Sequence, residues 1–307
     1  MDPIGAITPK KDSSFAMLLE AERRGAEIHY FEQKHLSLVS GKAMGRSTLL
    51  HVRDEYEDWF TFGEEQHIDL GGLDAILMRK DPPFDIEYVY TTYILDRAKL
   101  AGALIVNDPQ ALRDMNEKAY TAWFPDCTPV TLITRSMAEI KAFLSQHGRI
   151  VVKPLEGMGG RSIFVVNDGD KNANVIFETL TDYGKQFAMA QDYIPEIRLG
   201  DKRILLIDGE PVPYALARVP TDDDNRGNIV AGADAKGQPL SAQDRAISAE
   251  VGPVLRDAGV MFAGIDVIGD YLTEVNVTSP TGIRELDRQF EINIAGLLFD
   301  AIENKLA

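Results

Sequence analysis

The segment Ile150-Val151-Val152-Lys153-Pro154-Leu155-Glu156-Gly157-Met158-Gly159-Gly160-Arg161-Ser162-Ile163-Phe164-Val165-Val166 constrains this chain more than any other. It reads as a β-strand, a lysine, a glycine-rich turn and a second strand. A Walker-type loop instead runs from a strand into a helix and carries Gly-Lys-Ser/Thr. Here the lysine precedes the glycines, and the β-branched and aromatic residues after them predict a strand. Such a hairpin can cradle phosphate, because its backbone N–H groups are free and residues without a Cβ let anionic oxygens approach. The bland alternative is an exposed hairpin that needs Gly157, Gly159 and Gly160 only for positive φ. The chain has no Gly-Lys-Ser/Thr sequence, which argues against a P-loop kinase.

Charge decides which partners such a turn could serve. The 307 residues carry a formal net charge of −16, a field that repels DNA, RNA and anionic lipid. A nucleic-acid or membrane partner is therefore not expected, and an anionic substrate such as ATP needs locally clustered cations or a metal. Cys127 is the sole cysteine, so no intramolecular disulfide can form, which fits a reducing cytoplasm. No apolar run reaches membrane-spanning length. With 45% hydrophobic residues the chain is long enough for two or three domains.

Period and punctuation divide it. Ser13 to Arg24 reads as an amphipathic helix capped by Asp12 or Ser13. Strands at Glu27–Phe31, Leu73–Met78 and Ala103–Val106, with a helix from Tyr88 to Ala101, predict a small parallel-sheet α/β domain over residues 1–117. Lys34 to Gln66 looks like a hairpin or meander inserted into it. From Lys118 onward strands recur as hairpins: Ile150–Val166, Phe187–Ile194, Lys202–Ile207, Tyr214–Arg218 and Met261–Val277. Helices at Ser136–Gln146, Ala242–Ala258 and Ile292–Leu306 pack against them, an α+β pattern over 118–194 and 195–307. Val219 to Gly237 is rich in Asp, Gly and Asn, and reads as a binding loop or lid rather than a connection.

Asp266, Glu274 and Asn276 lie in a second hairpin, Gly264 to Val277. Glu274 and Asn276 share a face by alternation. A two-residue Gly269-Asp270 turn pairs Ile265 with Glu274 and turns Asp266 away, whereas a loop of three or five residues sets Asp266 across from Glu274. A metal site therefore predicts the three-residue loop Gly269-Asp270-Tyr271. Three converging oxygen donors suit Mg²⁺, which leaves its other positions to phosphate and water; a solvated polar face opposite Val267, Val275 and Val277 is the alternative. Lys118, Lys153, Arg203 and Arg218, near such a set, make an anion clamp.

These motifs, in this order, resemble the prokaryotic glutathione synthetases, a family of ATP-grasp ligases. The resemblance rests on Asp2-Pro3-Ile4, Lys10 to Leu18, Met78 to Asp85, Asn116-Glu117-Lys118, Val152-Lys153-Pro154 with Gly157 to Gly160, and Thr273 to Thr281. It implies an ATP-grasp architecture: the N-terminal parallel-sheet domain is followed by two α+β subdomains sandwiching ATP. It further implies that Lys118 and Lys153 contact the ATP phosphates under the Glu156–Gly160 turn, and that Gln191, Tyr193 and Ile194 read adenine from a hinge strand. Asp201 would face the ribose. Asp266, Glu274 and Asn276 would hold Mg²⁺ (Mn²⁺ is an alternative), with Asn276 also at the nucleotide. Arg203 and Arg218 would stabilise the transferring phosphoryl group and the acyl-phosphate. Ser13, Arg79, Arg226 and Gly227 would bind the dipeptide or close over it.

The implied reaction joins γ-glutamylcysteine to glycine with ATP, through an acyl-phosphate, in a cytoplasmic homotetramer. Phosphoryl transfer of this kind needs positioning and charge neutralisation rather than a nucleophilic side chain, consistent with five histidines that lie outside the motif segments. Family members usually carry a short apolar strand before Asp2, so a chain beginning at Met1 is expected to be less stable than a longer one. The alternatives are a D-alanine–D-alanine or glutamate ligase on the same fold, or a non-catalytic ATP-binding regulator.

Overall fold

The computed structural model describes residues 1–157, 160–218 and 235–307. The glycine turn's Met158 and Gly159, and most of the loop expected at Val219–Gly237, including Arg226 and Gly227, lie outside the described residues.

The N-terminal part begins with helix α1 (Ser13–Arg23), where the Asp12 carboxylate accepts from the Phe15 amide at 2.7 Å. This cap satisfies one of the unpaired amides of the first turn and leaves Ser13 inside the helix. Strands β1 (His29–Tyr30), β2 (Leu36–Val39), β3 (Lys42–Val52) and β4 (Phe60–Asp69) make one antiparallel sheet around β3. The inserted meander is thus the larger sheet here, and β1 joins it rather than the parallel pair. That pair is β5 (Ala75–Leu77) and β6 (Leu104–Val106), joined by α2 (Ile86–Ala101). A short α3 (Pro109–Asp114) follows.

Next comes a sheet in the order β7-β10-β8-β9: β7 (Thr131–Thr134), β8 (Arg149–Pro154), β9 (Phe164–Asn167) and β10 (Ala188–Asp192). Helices α4 (Met137–His147) and α5 (Ala173–Thr181) cover one face, burying Ile150, Val152, Val166 and Phe177 completely. Alternation then obliges Val151 and Lys153 to point from the other face.

The last sheet runs β13-β12-β11-β14-β15: β11 (Asp201–Ile207), β12 (Glu210–Arg218), β13 (Ala235–Pro239), β14 (Phe262–Ile268) and β15 (Tyr271–Asn276). The sequence reading carried the loop through Gly237, but Ala235–Gly237 belong to β13, paired with β12. Few apolar residues mark this edge strand, so its pattern is silent. Helix α6 (Ala242–Asp257) packs on this sheet with the N-terminal part, and α7 (Ile283–Phe290) and α8 (Ile294–Leu306) pack with α1. No helix among the described residues is long and apolar enough to cross a membrane.

Candidate active site

The inner faces of the β7-β10-β8-β9 and β13-β12-β11-β14-β15 sheets line one cleft. Val151, Lys153 and Val165 enter it from one sheet, and Asp201, Asp266, Ile268 and Glu274 from the other, with Gln191 to Ile194 between. Val151, Ile163, Val165 and Ile268 form an apolar wall that motif reading missed. Its signal was present: each β8 or β9 residue on the helix-covered face implies a neighbour facing the cleft.

Lys153 is 5% exposed, and among the described residues it donates only to the Thr273 carbonyl, at 3.5 Å. Burial pushes its ammonium down to about 8, against the attraction of Glu274 and with the repulsion of Lys118. Lys118, also buried, donates to the Gly157 carbonyl at 2.7 Å and lies 3.9 Å from Glu274 Oε1. Both cations thus gather at the glycine turn, where Gly157 and Gly160 adopt positive φ and Glu156 is exposed.

The opposite wall is a chain of ion pairs. Arg203 and Asp266 are cross-strand neighbours on β11 and β14, and the guanidinium grips both carboxylate oxygens, Nη2 to Oδ2 at 2.7 Å. Arg218 and Asp201 face each other on β11–β12 and form a second two-pronged pair, while Arg218 Nη2 also reaches Asp266 Oδ2 at 2.9 Å. Burial alone would raise Asp266, but the two guanidinium groups outweigh it and hold it down at about 2. Burial, helped by the repulsion of Asp266, lifts Asp201 to about 6 against the pull of Arg218 and, more weakly, Arg203. Removing one member of such a buried pair costs about 3–5 kcal/mol. In this state Asp201 is engaged by Arg218. Neither Arg203 nor Arg218 uses its Nη1 donors on another described residue.

The hairpin corrects the expected loop. Ile268 pairs with Tyr271 across the two-residue turn Gly269-Asp270, yet Asp266 still faces Glu274. Thr273 is an extra residue in β15, a bulge that restores the register, and its hydroxyl donates to the Asp266 carbonyl at 3.1 Å. Asn276 Nδ2 lies 3.5 Å from Asp266 Oδ2, and Glu274, paired across from Asp266, lines the same cleft. No three His, Cys, Asp or Glu side chains among the described residues form a metal cage; here two carboxylates are completed by an amide. Hard oxygen donors of this kind suit Mg²⁺.

Around the rim, Gln191 donates to Thr131 at 3.0 Å, and the Arg149 guanidinium lies 3.7 Å over the Tyr193 ring. Ile194 is buried. Arg79 and Ser13 sit apart from these groups, at the junction with the N-terminal part. Arg79 donates to Ser14 and to the Pro280 carbonyl, and Ser13 Oγ accepts from the Gly282 and Ile283 amides. Sequence reasoning also missed a role for Glu117, whose carbonyl accepts from Val275 N and whose carboxylate accepts from Thr278. It ties the residue before Lys118 to the strand bearing Glu274.

Comparison with known proteins bears on the family and the fold. The family model "Prokaryotic glutathione synthetase, N-terminal domain" matches residues 1–113, and "Prokaryotic glutathione synthetase, ATP-grasp domain" matches residues 117–291. The chain is 57% identical to a glutathione synthetase of Salmonella typhimurium, over 100% of this chain and 98% of that one. It is 56% identical to that of Escherichia coli, over 100% and 97%. Among solved structures, the ATP-grasp ligase PsnB superposes with TM-score 0.63 at 17% identity, covering 95% of this chain and 94% of that one. A RimK domain ATP-grasp protein from Sphaerobacter thermophilus gives 0.62 at 16%, covering 99% and 97%. The structural likenesses carry the fold alone.

Proposed function

Because this chain belongs to the prokaryotic glutathione synthetase family, we propose a residue-level account of how its cleft joins γ-glutamylcysteine to glycine. The chain is an ATP-dependent carboxylate–amine ligase, yielding glutathione, ADP and phosphate. The observation that supports the account is the facing of Lys153 by Asp266 and Glu274 across one cleft, with Lys118 3.9 Å from Glu274 and Asn276 beside Asp266.

Adenine lies against Val151, Val165 and Ile268, with the Gln191–Ile194 segment at its polar edge. Lys118 and Lys153 neutralise the phosphate oxygens. Asp266, Glu274 and Asn276 would hold Mg²⁺, which supplies further neutralisation of the phosphates when bound. The dipeptide enters from the Ser13, Arg79 side, and its cysteinyl carboxylate meets the γ-phosphoryl group beside Arg203 and Arg218. Their Nη1 donors stabilise the charge that develops on the transferring group, and they are held rigid by Asp201 and Asp266. Rigid ion pairs here reduce the reorganisation needed during transfer. Glycine then displaces phosphate from the acyl-phosphate. Cytoplasmic residence and a homotetramer complete the reading.

The test is phosphate release from ATP with γ-glutamylcysteine, with and without glycine. Release should require the dipeptide, and glutathione should form only when glycine is added. Faster turnover with D-alanine pairs or with glutamate acceptors would refute this specificity. Sedimentation at micromolar concentration tests the tetramer.

A further inference from the structure

At the junction that holds Ser13 and Arg79, two charged side chains are placed without full partners. Arg284, 9% exposed, lies over the Phe15 ring at 5.4 Å and donates from Nη2 to Asp54 Oδ1 at 2.7 Å. Its buried Nε finds no partner among the described residues, nor does the buried Oε2 of the next residue, Glu285. Leaving such groups unpaired costs about 1–3 kcal/mol each, a cost that a bound polar partner would remove. Asp54 is 62% exposed and occupies only part of the guanidinium fork.

A cation and an anion side by side match the chemistry of a free α-amino acid. The γ-linked dipeptide has such an end, because its first residue is joined through the side chain and keeps both α-groups. We propose that Arg284 and Glu285 form the subsite for this end, Arg284 taking the α-carboxylate and Glu285 the α-ammonium. The inference rests on the ligase reading above and deepens it.

The placement agrees. Gly282, two residues before Arg284, lies beside Leu216 and Arg203: a Cβ there would come 3.4 Å from Leu216 Cδ2 and 3.8 Å from Arg203 Cγ, ordinary contacts. Arg203 is where the reacting carboxylate was placed. An extended dipeptide separates that carboxylate from the α-carbon of its γ-glutamyl residue by about 7–8 Å, and Arg284 stands in the first turn of α7, whose N-cap is Gly282. Burial raises the Glu285 carboxyl, with Arg288, Lys11 and Arg284 pulling it back; an arriving ammonium would add to that pull. An α-linked dipeptide presents no zwitterionic end in this position, so the subsite also selects the linkage.

The experiment compares γ-glutamylcysteine with glutarylcysteine, which lacks the α-amino group, and 4-aminobutyrylcysteine, which lacks the α-carboxylate. The wild-type protein should prefer γ-glutamylcysteine over either analogue at least tenfold in kcat/KM. Glu285→Gln should narrow the preference over glutarylcysteine to under threefold, and Arg284→Met that over 4-aminobutyrylcysteine. KM for ATP should stay within twofold in both, reporting an intact nucleotide site. Wild-type discrimination in both variants would overturn the subsite while leaving the ligase reading standing. Absence of glutathione synthesis by the wild-type protein would overturn that reading and the subsite with it. If Arg284→Met does not fold, the half-buried Glu285→Gln decides alone.

Discussion

At Lys153 an ammonium group is 5% exposed, and among the described residues its one hydrogen bond is a 3.5 Å contact to a carbonyl. Its position is explained by a substrate, and its cost falls on the free protein. A lysine whose pKa drops from 10.5 to about 8 on folding destabilises the fold by roughly 3 kcal/mol at neutral pH. The folded pKa is depressed, so this penalty shrinks as pH rises from 8 toward 10.5. Lys153→Met should therefore raise the melting temperature of the nucleotide-free protein while weakening ATP binding at least tenfold; a lower melting temperature would contradict the assignment. The same shift predicts a pH dependence. Below about pH 7.5 the ammonium is charged and ATP affinity should be flat, whereas above 8 binding must recover a proton and Kd should climb. Calorimetric titrations from pH 7 to 9 check this, and Lys153→Met should abolish the slope.

Elements settled what residue spacing left open. The hairpin bearing Asp266 and Glu274 was legible as a hairpin, and so was the rule that a two-residue turn would turn Asp266 away. What spacing could not supply was the Thr273 bulge, because a bulge has no composition of its own and depends on the neighbouring strand. Helix α6 makes a similar point in energetic terms. Gly252 lies inside it, where alanine is favoured by about 1 kcal/mol on propensity alone. Yet a Cβ at Gly252 would collide with the Gly209 carbonyl of the β11–β12 turn, and Gly209 itself sits at φ +84°. Backbone atoms cannot swing aside as a side chain can. Gly252→Ala should lose about 1–3 kcal/mol in urea titration, and a gain would mean that the turn yields freely.

Across the whole molecule, one side chain does much to join the N-terminal part to the last sheet. Asn107, 4% exposed, donates to the Phe262 and Val277 carbonyls at 2.7 and 2.6 Å, and accepts from the Met261 and Phe262 amides at 2.9 Å each. These bonds lie at the entry of β14 and just past the end of β15, the strands that carry Asp266, Glu274 and Asn276. Asn107→Leu removes every partner at once, and with about 1–3 kcal/mol per orphaned group the loss should exceed about 3 kcal/mol by chemical denaturation. Asn107→Asp keeps an acceptor for the amides but sets a carboxylate against two carbonyls, so it should rescue little. A loss below about 1 kcal/mol for Asn107→Leu would show that the junction is held elsewhere. The sequence alone determined the two site-bearing hairpins, the lysine-before-glycine turn and the residue types of the site, since these follow from period, propensity and local chemistry. Only the tertiary structure decided which charges pair: Arg203 with Asp266, and Arg218 with Asp201. Ion pairing depends on approach and exclusion of water between strands distant along the chain, and neither is written in any local pattern.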